Sequence, residues 1–176
     1  MSKKLVNIIL GVVALVLIIL IVKSIKGPID RKIEIEKVEN LVKLKLGDIK
    51  IAQMAYKDMN DTFASSFEDL IEGIKNGKIK RLRKLGGKNA DTAESVEVDT
   101  MYVGALEETF GLNYPIDMLG KVPPSNKKEF LIETAILDKN GIKVPVFQIT
   151  DPDPINPERA LRIGSLQDAV YTGNWK

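Results

Sequence analysis

From Leu5 to Val22 the chain reads LVNIILGVVALVLIILIV, an apolar run interrupted only by Asn7 and Gly11. Eighteen helical residues at a rise of ~1.5 Å span roughly 27 Å, close to the ~30 Å hydrocarbon core of a bilayer. A soluble core helix of this length carries a polar face, and this stretch has none. The pattern therefore predicts a retained single-pass membrane anchor. A cleaved secretory signal is the competing reading. Its apolar region is shorter, and here Lys23-Ser24-Ile25-Lys26 follows in place of a small-x-small cleavage site.

Beyond the run the pattern changes to a helical stripe. After an expected break at Gly27-Pro28, the segment from Ile29 to about Met59 places Val38, Leu41, Val42, Ile49 and Ala52 on one face, with Ile35 above and Tyr56 below. A strict heptad on this stripe would put Lys45 inside, which argues against a long autonomous coiled coil. Two uses of the stripe stand: packing on the chain's own domain, and self-association near the membrane. Ser65-Ser66-Phe67-Glu68-Asp69 then reads as a helix start, with Ser65 and Glu68 or Ser66 and Asp69 as the capping pair. Phe67, Leu70, Ile71 and Ile74 form its apolar face, and Asn76-Gly77 is the expected left-handed exit.

The rest of the chain alternates as strands do. Two β-rich runs, 129–137 and 142–149, flank Asp138-Lys139-Asn140-Gly141 and predict a hairpin. Phe130, Ile132, Thr134 and Ile136 are expected on one side, with Val144, Val146 and Gln148 alternating opposite, while Pro145 points to an edge or an irregular strand. Segment 109–125, rich in Gly and Pro, reads as a loop tacked down by Tyr114, Ile116 and Leu119. A final short strand near 161–166, or 169–171, closes the sheet. The expected fold is α+β and pilin-like: a basic N-terminus (1–4), a transmembrane anchor (5–22), a long amphipathic stalk helix (23–60), and a globular domain (61–176) with a short packed helix and a small antiparallel sheet.

Composition narrows the chemistry. The chain contains no histidine and no cysteine. This removes the commonest general base, the thiolate nucleophile and the commonest zinc ligands. No catalytic residue, cofactor or small-molecule substrate is assigned, and the expectation is a protein that is not an enzyme. A hydrolase working through carboxylates alone is the remaining catalytic class. Net charge is +2, which gives no global argument for nucleic acid.

Charge is nevertheless segregated. Lys78 to Lys88 reads KIKRLRKLGGK, and Lys78, Lys80, Arg81, Arg83 and Lys84 are candidate contacts to anionic lipid or an acidic partner, against the alternative of a solvated strand with Ile79, Leu82 and Leu85 docked. Asp91, Glu94, Glu97 and Asp99 form a balancing acidic segment without the spacing of a calcium loop. Asp151 and Asp153, in a proline-rich loop, are a further candidate for weak calcium binding. Trp175, the only tryptophan, is either a packing plug or a docking contact.

The segment IKIAQMAYKDMNDTFASSFEDLIEGIKNG, following the anchor, resembles the end of the long helix in type IV pilins and type II secretion pseudopilins. Ala52, Ala55 and Tyr56 stand in the helix, and Asn60-Asp61-Thr62-Phe63 at the turn. The chain departs from that family at its start, MSKKLVNIILG, where the prepilin cleavage glycine, the following aromatic and the early glutamate are missing. The whole pattern, including the GNW ending, also resembles a family of uncharacterised membrane-anchored proteins from the Bacteroidota. The second resemblance implies an organisation but no established activity, and the first implies an inner-membrane, single-pass structural subunit of an envelope assembly. Its C-terminal domain would be periplasmic or extracellular, with membrane lipid, itself or other envelope proteins as partners. The flanking charges leave a second reading open: Lys3 and Lys4 precede the run, whereas Lys23, Lys26, Arg31, Lys32 and Lys37 follow it. Counting positives alone makes the chain a cytoplasm-facing scaffold or regulator.

Overall fold

The computed structural model describes residues 3–85 and 97–175, with no side-chain detail for residues 5, 82–85 and 97–99. It is an α+β protein. Helix α1 (Lys3–Asn60) is followed by α2 (Phe67–Asn76), strands β1 (Lys78–Leu85) and β2 (Glu97–Gly104), a short α3 (Ala105–Thr109), a 3₁₀ turn at Ile116–Met118, and strands β3 (Leu131–Lys139), β4 (Ile142–Thr150) and β5 (Arg162–Gly164). The chain divides into two compact units, Met1–Asn40 and Leu41–Lys176.

The first unit is helix. It holds the apolar run, the one stretch among the described residues long and apolar enough to cross a membrane, and none of it is buried. The expected break at Gly27-Pro28 is not there, because α1 continues through Pro28. A proline deletes one backbone hydrogen bond and crowds the preceding turn, which strains a helix without necessarily ending it.

Among the described residues the second unit contains two antiparallel sheets where one was expected, β1-β2 and β3-β4-β5. Its core is lined by Val42, Leu46, Ile49 and Ala52 from the end of α1, Leu70 and Ile74 from α2, Ile116 and Leu119 from the connection, and Val146, Phe147 and Ile149 from β4. This part of the stalk stripe packs on its own domain. The phase of the stripe needs one correction: Leu41 is exposed, and Leu46 is fully buried in its place. At 3.6 residues per turn, positions 42, 46, 49 and 53 hold one face, and the stretch is too short to separate this from a neighbouring register by sequence.

Helix α2 starts as its residues dictate. The Asp69 amide donates to Ser66 Oγ at 3.1 Å, and that hydroxyl donates to Asp69 Oδ2 at 2.7 Å, so Ser66 and Asp69 are the capping pair formed. Its exit is not left-handed, since Gly77 has φ −72°. Glycine is required there by space: a Cβ would collide with the Gly73 carbonyl and lie 2.5 Å from Met59 Sδ.

The hairpin forms as its turn residues demand, with Asn140 and Gly141 both at positive φ, 57° and 82°. Strand β3 does not present its even-numbered residues inward along its whole length: Ile132 is half-buried, but Thr134 is exposed and Ile136 is 66% exposed. Strand β4, carrying Pro145, is the central strand of its sheet, not an edge. Proline is accommodated because β5 pairs only with Gln148–Thr150, leaving the side of Pro145 away from β3 unpaired by strand. On that side the Pro145 carbonyl accepts from Tyr171 Oη at 3.0 Å, and the missing N–H points the same way.

Candidate functional site

Alternation along β1 sorts its charges between two faces. Lys78, Lys80 and Lys84 share one set of register positions with Tyr102 and Gly104 across the ladder, whereas Ile79, Arg81 and Arg83 share the other with Val103, Met101 and Asp99. On the arginine side Arg81 pairs with Glu108, and Arg83 lies opposite Asp99 in register. Part of the acidic segment thus meets the basic one as its ladder partner. Lys78, Lys80 and Tyr102 are exposed. The side chains of Leu82, Arg83, Lys84 and Leu85 lie outside the described residues, as do Lys88, Asp91 and Glu94 altogether.

Trp175 is half-buried. Its indole lies against Gly173, which bridges to Ile163 of β5. The two candidate calcium ligands are engaged elsewhere. Asp151 is buried and accepts from the Asp153 amide at 3.0 Å, and burial pushes its carboxyl above the ordinary value. The Asp153 carboxylate pairs with Lys128 at 3.0 Å. Among the described residues no group of three or more carboxylates is placed to hold a metal ion.

Three arrangements were not visible in the residues. The first joins α1 to the connection: Tyr114 Oη donates to Asp48 Oδ2 at 2.7 Å, and the Lys45 ammonium sits 5.7 Å from the Tyr114 ring centre. Burial lowers the Lys45 pKa, with Asp48 opposing. Burial, then the Asp48 hydrogen bond and charge, push the Tyr114 phenol well above its ordinary value of 10.0. The second is Gln53, fully buried, which donates to the Ala64 carbonyl and accepts from the Ala64 amide, both at 3.0 Å. It substitutes for a backbone partner at the turn where α1 ends. The third is an open groove of about 280 Å³ lined by Thr62, Phe63, Thr134, Ala135, Ile136, Pro145 and Val146.

The Tyr114 contact makes a pH prediction. Because the folded state raises this pKa, the neutral phenol is the form that folding favours. Its contribution is complete below the unfolded value near 10 and is lost as pH rises through the folded one. Tyr114→Phe should cost about 1 kcal/mol at pH 7, the size of a hydrogen bond to a partly screened charge. The deficit should shrink above pH ~10, where the wild-type contribution fades. Urea midpoints of both proteins at pH 7 to 12 check this; a deficit that widens with pH refutes the assignment.

No protein-family model, no curated protein and no solved structure matches the chain. The functional reading therefore rests on the residues and their arrangement.

Proposed function

We propose that the chain is a single-pass, membrane-anchored structural subunit of an envelope assembly, pilin-like or pseudopilin-like in plan, working through protein contacts and not catalysis. One observation carries this reading. A single helix, Lys3–Asn60, holds both an unburied apolar run of bilayer length and, from Val42 to Ala52, residues of the α+β core. In this reading Leu5 to Val22 lie in the inner membrane, and the α+β domain stands on the periplasmic or extracellular side. The sequence supports a non-catalytic role through its lack of histidine and cysteine. A cytoplasm-facing scaffold is the second reading, favoured by the five basic residues at 23, 26, 31, 32 and 37 and by the lysine face of β1.

Protease treatment of right-side-out spheroplasts, with a cytoplasmic protein as integrity control, separates the two. The expected result is digestion of the C-terminal domain in intact spheroplasts. Protection until lysis refutes the envelope-subunit reading and leaves the cytoplasmic scaffold.

A further inference from the structure

The part of α1 inside the second unit has two apolar faces, and its domain uses one. Val42, Leu46, Ile49 and Gln53 are turned into the core. On the opposite face Leu44 is 70% exposed and Ile51 50% exposed, with Gly47 between them and half-buried Met54 one turn on. A Cβ built on Gly47 meets nothing within 4 Å among the described residues. The spacing 44, 47, 51, 54 runs three, four, three, which is the repeat of a two-stranded helical seam. Leucine and isoleucine stand at its first positions, and glycine and methionine at the fourth ones. The glycine lets a neighbouring backbone come close.

We propose that this face receives the same face of a second copy, in parallel and in register, so that Leu44 meets Leu44, Gly47 meets Gly47 and Ile51 meets Ile51. The proposal rests on the membrane-anchored reading above, because single-pass anchors inserted the same way carry all copies out of the membrane in the same direction. The flanking charges select the same orientation. In a parallel pair Lys43 of one copy and Asp48 of the second stand at facing flank positions with opposite charge. An antiparallel pair would bring Lys43 and Lys50 of both copies together. Two heptads bury too little to hold a dimer in free solution, and confinement to a membrane supplies the effective concentration that they need.

The absence of native cysteine makes the test direct. Full-length single-cysteine variants Leu44→Cys, Gly47→Cys and Ile51→Cys are oxidised in isolated membranes, with Asn60→Cys and Lys80→Cys as exposed positions off the seam. The expected result is disulfide-linked dimer at 44, 47 and 51 and little at 60 or 80. Introducing Leu44→Glu into the Ile51→Cys chain should lower dimer yield about tenfold, and since Leu44 is exposed the domain keeps its fold. Equal yields at all five positions, no dimer in carbonate-resistant protein, or an adduct with a different protein each overturns the proposal while the anchor stands. Extraction of the uncrosslinked protein by carbonate identifies failure of the anchored reading itself.

Discussion

Val12→Lys combined with Val16→Lys is expected to move the protein from the carbonate-resistant membrane fraction to the soluble fraction. Both residues lie in the middle of the apolar run, one helical turn apart, and both are exposed. A lysine at the centre of an inserting helix costs about 2.5–3.5 kcal/mol, while each valine it replaces contributes about −0.3 to −0.6. Two substitutions therefore shift insertion by roughly 6–8 kcal/mol, comparable to what the apolar residues of the whole run supply. A matched pair further along the same helix, Ile29→Lys with Ile33→Lys, removes two exposed isoleucines outside the run and should leave the protein in the pellet. If both variants stay in the membrane, Leu5–Val22 is not what holds the chain there. If both leave it, the anchoring segment extends past Ile29.

What the residues disclosed of this fold was whatever is decided locally. The hairpin followed from Asn140-Gly141, because two consecutive positive φ values suit that dipeptide and few others. The start of α2 followed from Ser66, whose hydroxyl is within reach of its own chain three residues on. The features that escaped depend on distant partners. No pattern in the sequence marks Gln53, yet it is fully buried and serves both backbone groups of Ala64, eleven residues away. Pro145 reads as a sign of an edge or a locally irregular strand, and its place in a central strand makes sense only once the β5 pairing is known to stop at Gln148. The five residues of α3, ALEET, carry no periodicity that a turn would lack.

The candidate contacts divide in the same way. A solvated strand was one of the readings open for the basic run, but its sorting into a lysine face and an arginine face needed the register with β2. That register puts Arg83 opposite Asp99 and leaves Lys78 and Lys80 beside Tyr102 and Gly104. The second apolar face of α1 was legible only in part. Leu44 and Ile51 stand in the sequence at heptad spacing, but they become notable once Leu46 and Ile49 are known to satisfy the domain.

Phe147→Ala should produce the largest loss of stability of any single substitution in the β3-β4-β5 sheet. Phe147 is fully buried at the centre of an aromatic group, with the Phe63 ring 4.7 Å away edge-on and the Tyr171 ring 5.4 Å away and stacked. Phe63 comes from the turn after α1 and Tyr171 from the C-terminal segment, so one side chain ties three separate parts of the chain together. Truncating a buried phenylalanine costs about 3–5 kcal/mol in lost transfer energy and residual cavity. Against a whole-domain stability of about 5–15 kcal/mol, that is a large share. The urea midpoint should fall by about 1.5–2.5 M for a slope of about 2 kcal/mol per molar. Trp175 reports the transition, because its half-buried indole lies against Gly173, which bridges to Ile163 of the same sheet. Ile136→Ala is the matched control, since Ile136 lies on the neighbouring strand and is 66% exposed; its change should stay within about 0.5 kcal/mol. If Ile136→Ala costs as much as Phe147→Ala, the exposed face of β3 is covered in the folded protein, and the groove beside it is an occupied surface. If neither costs more than about 1 kcal/mol, the aromatic group does not hold the sheet to the helix, and the core must lie elsewhere.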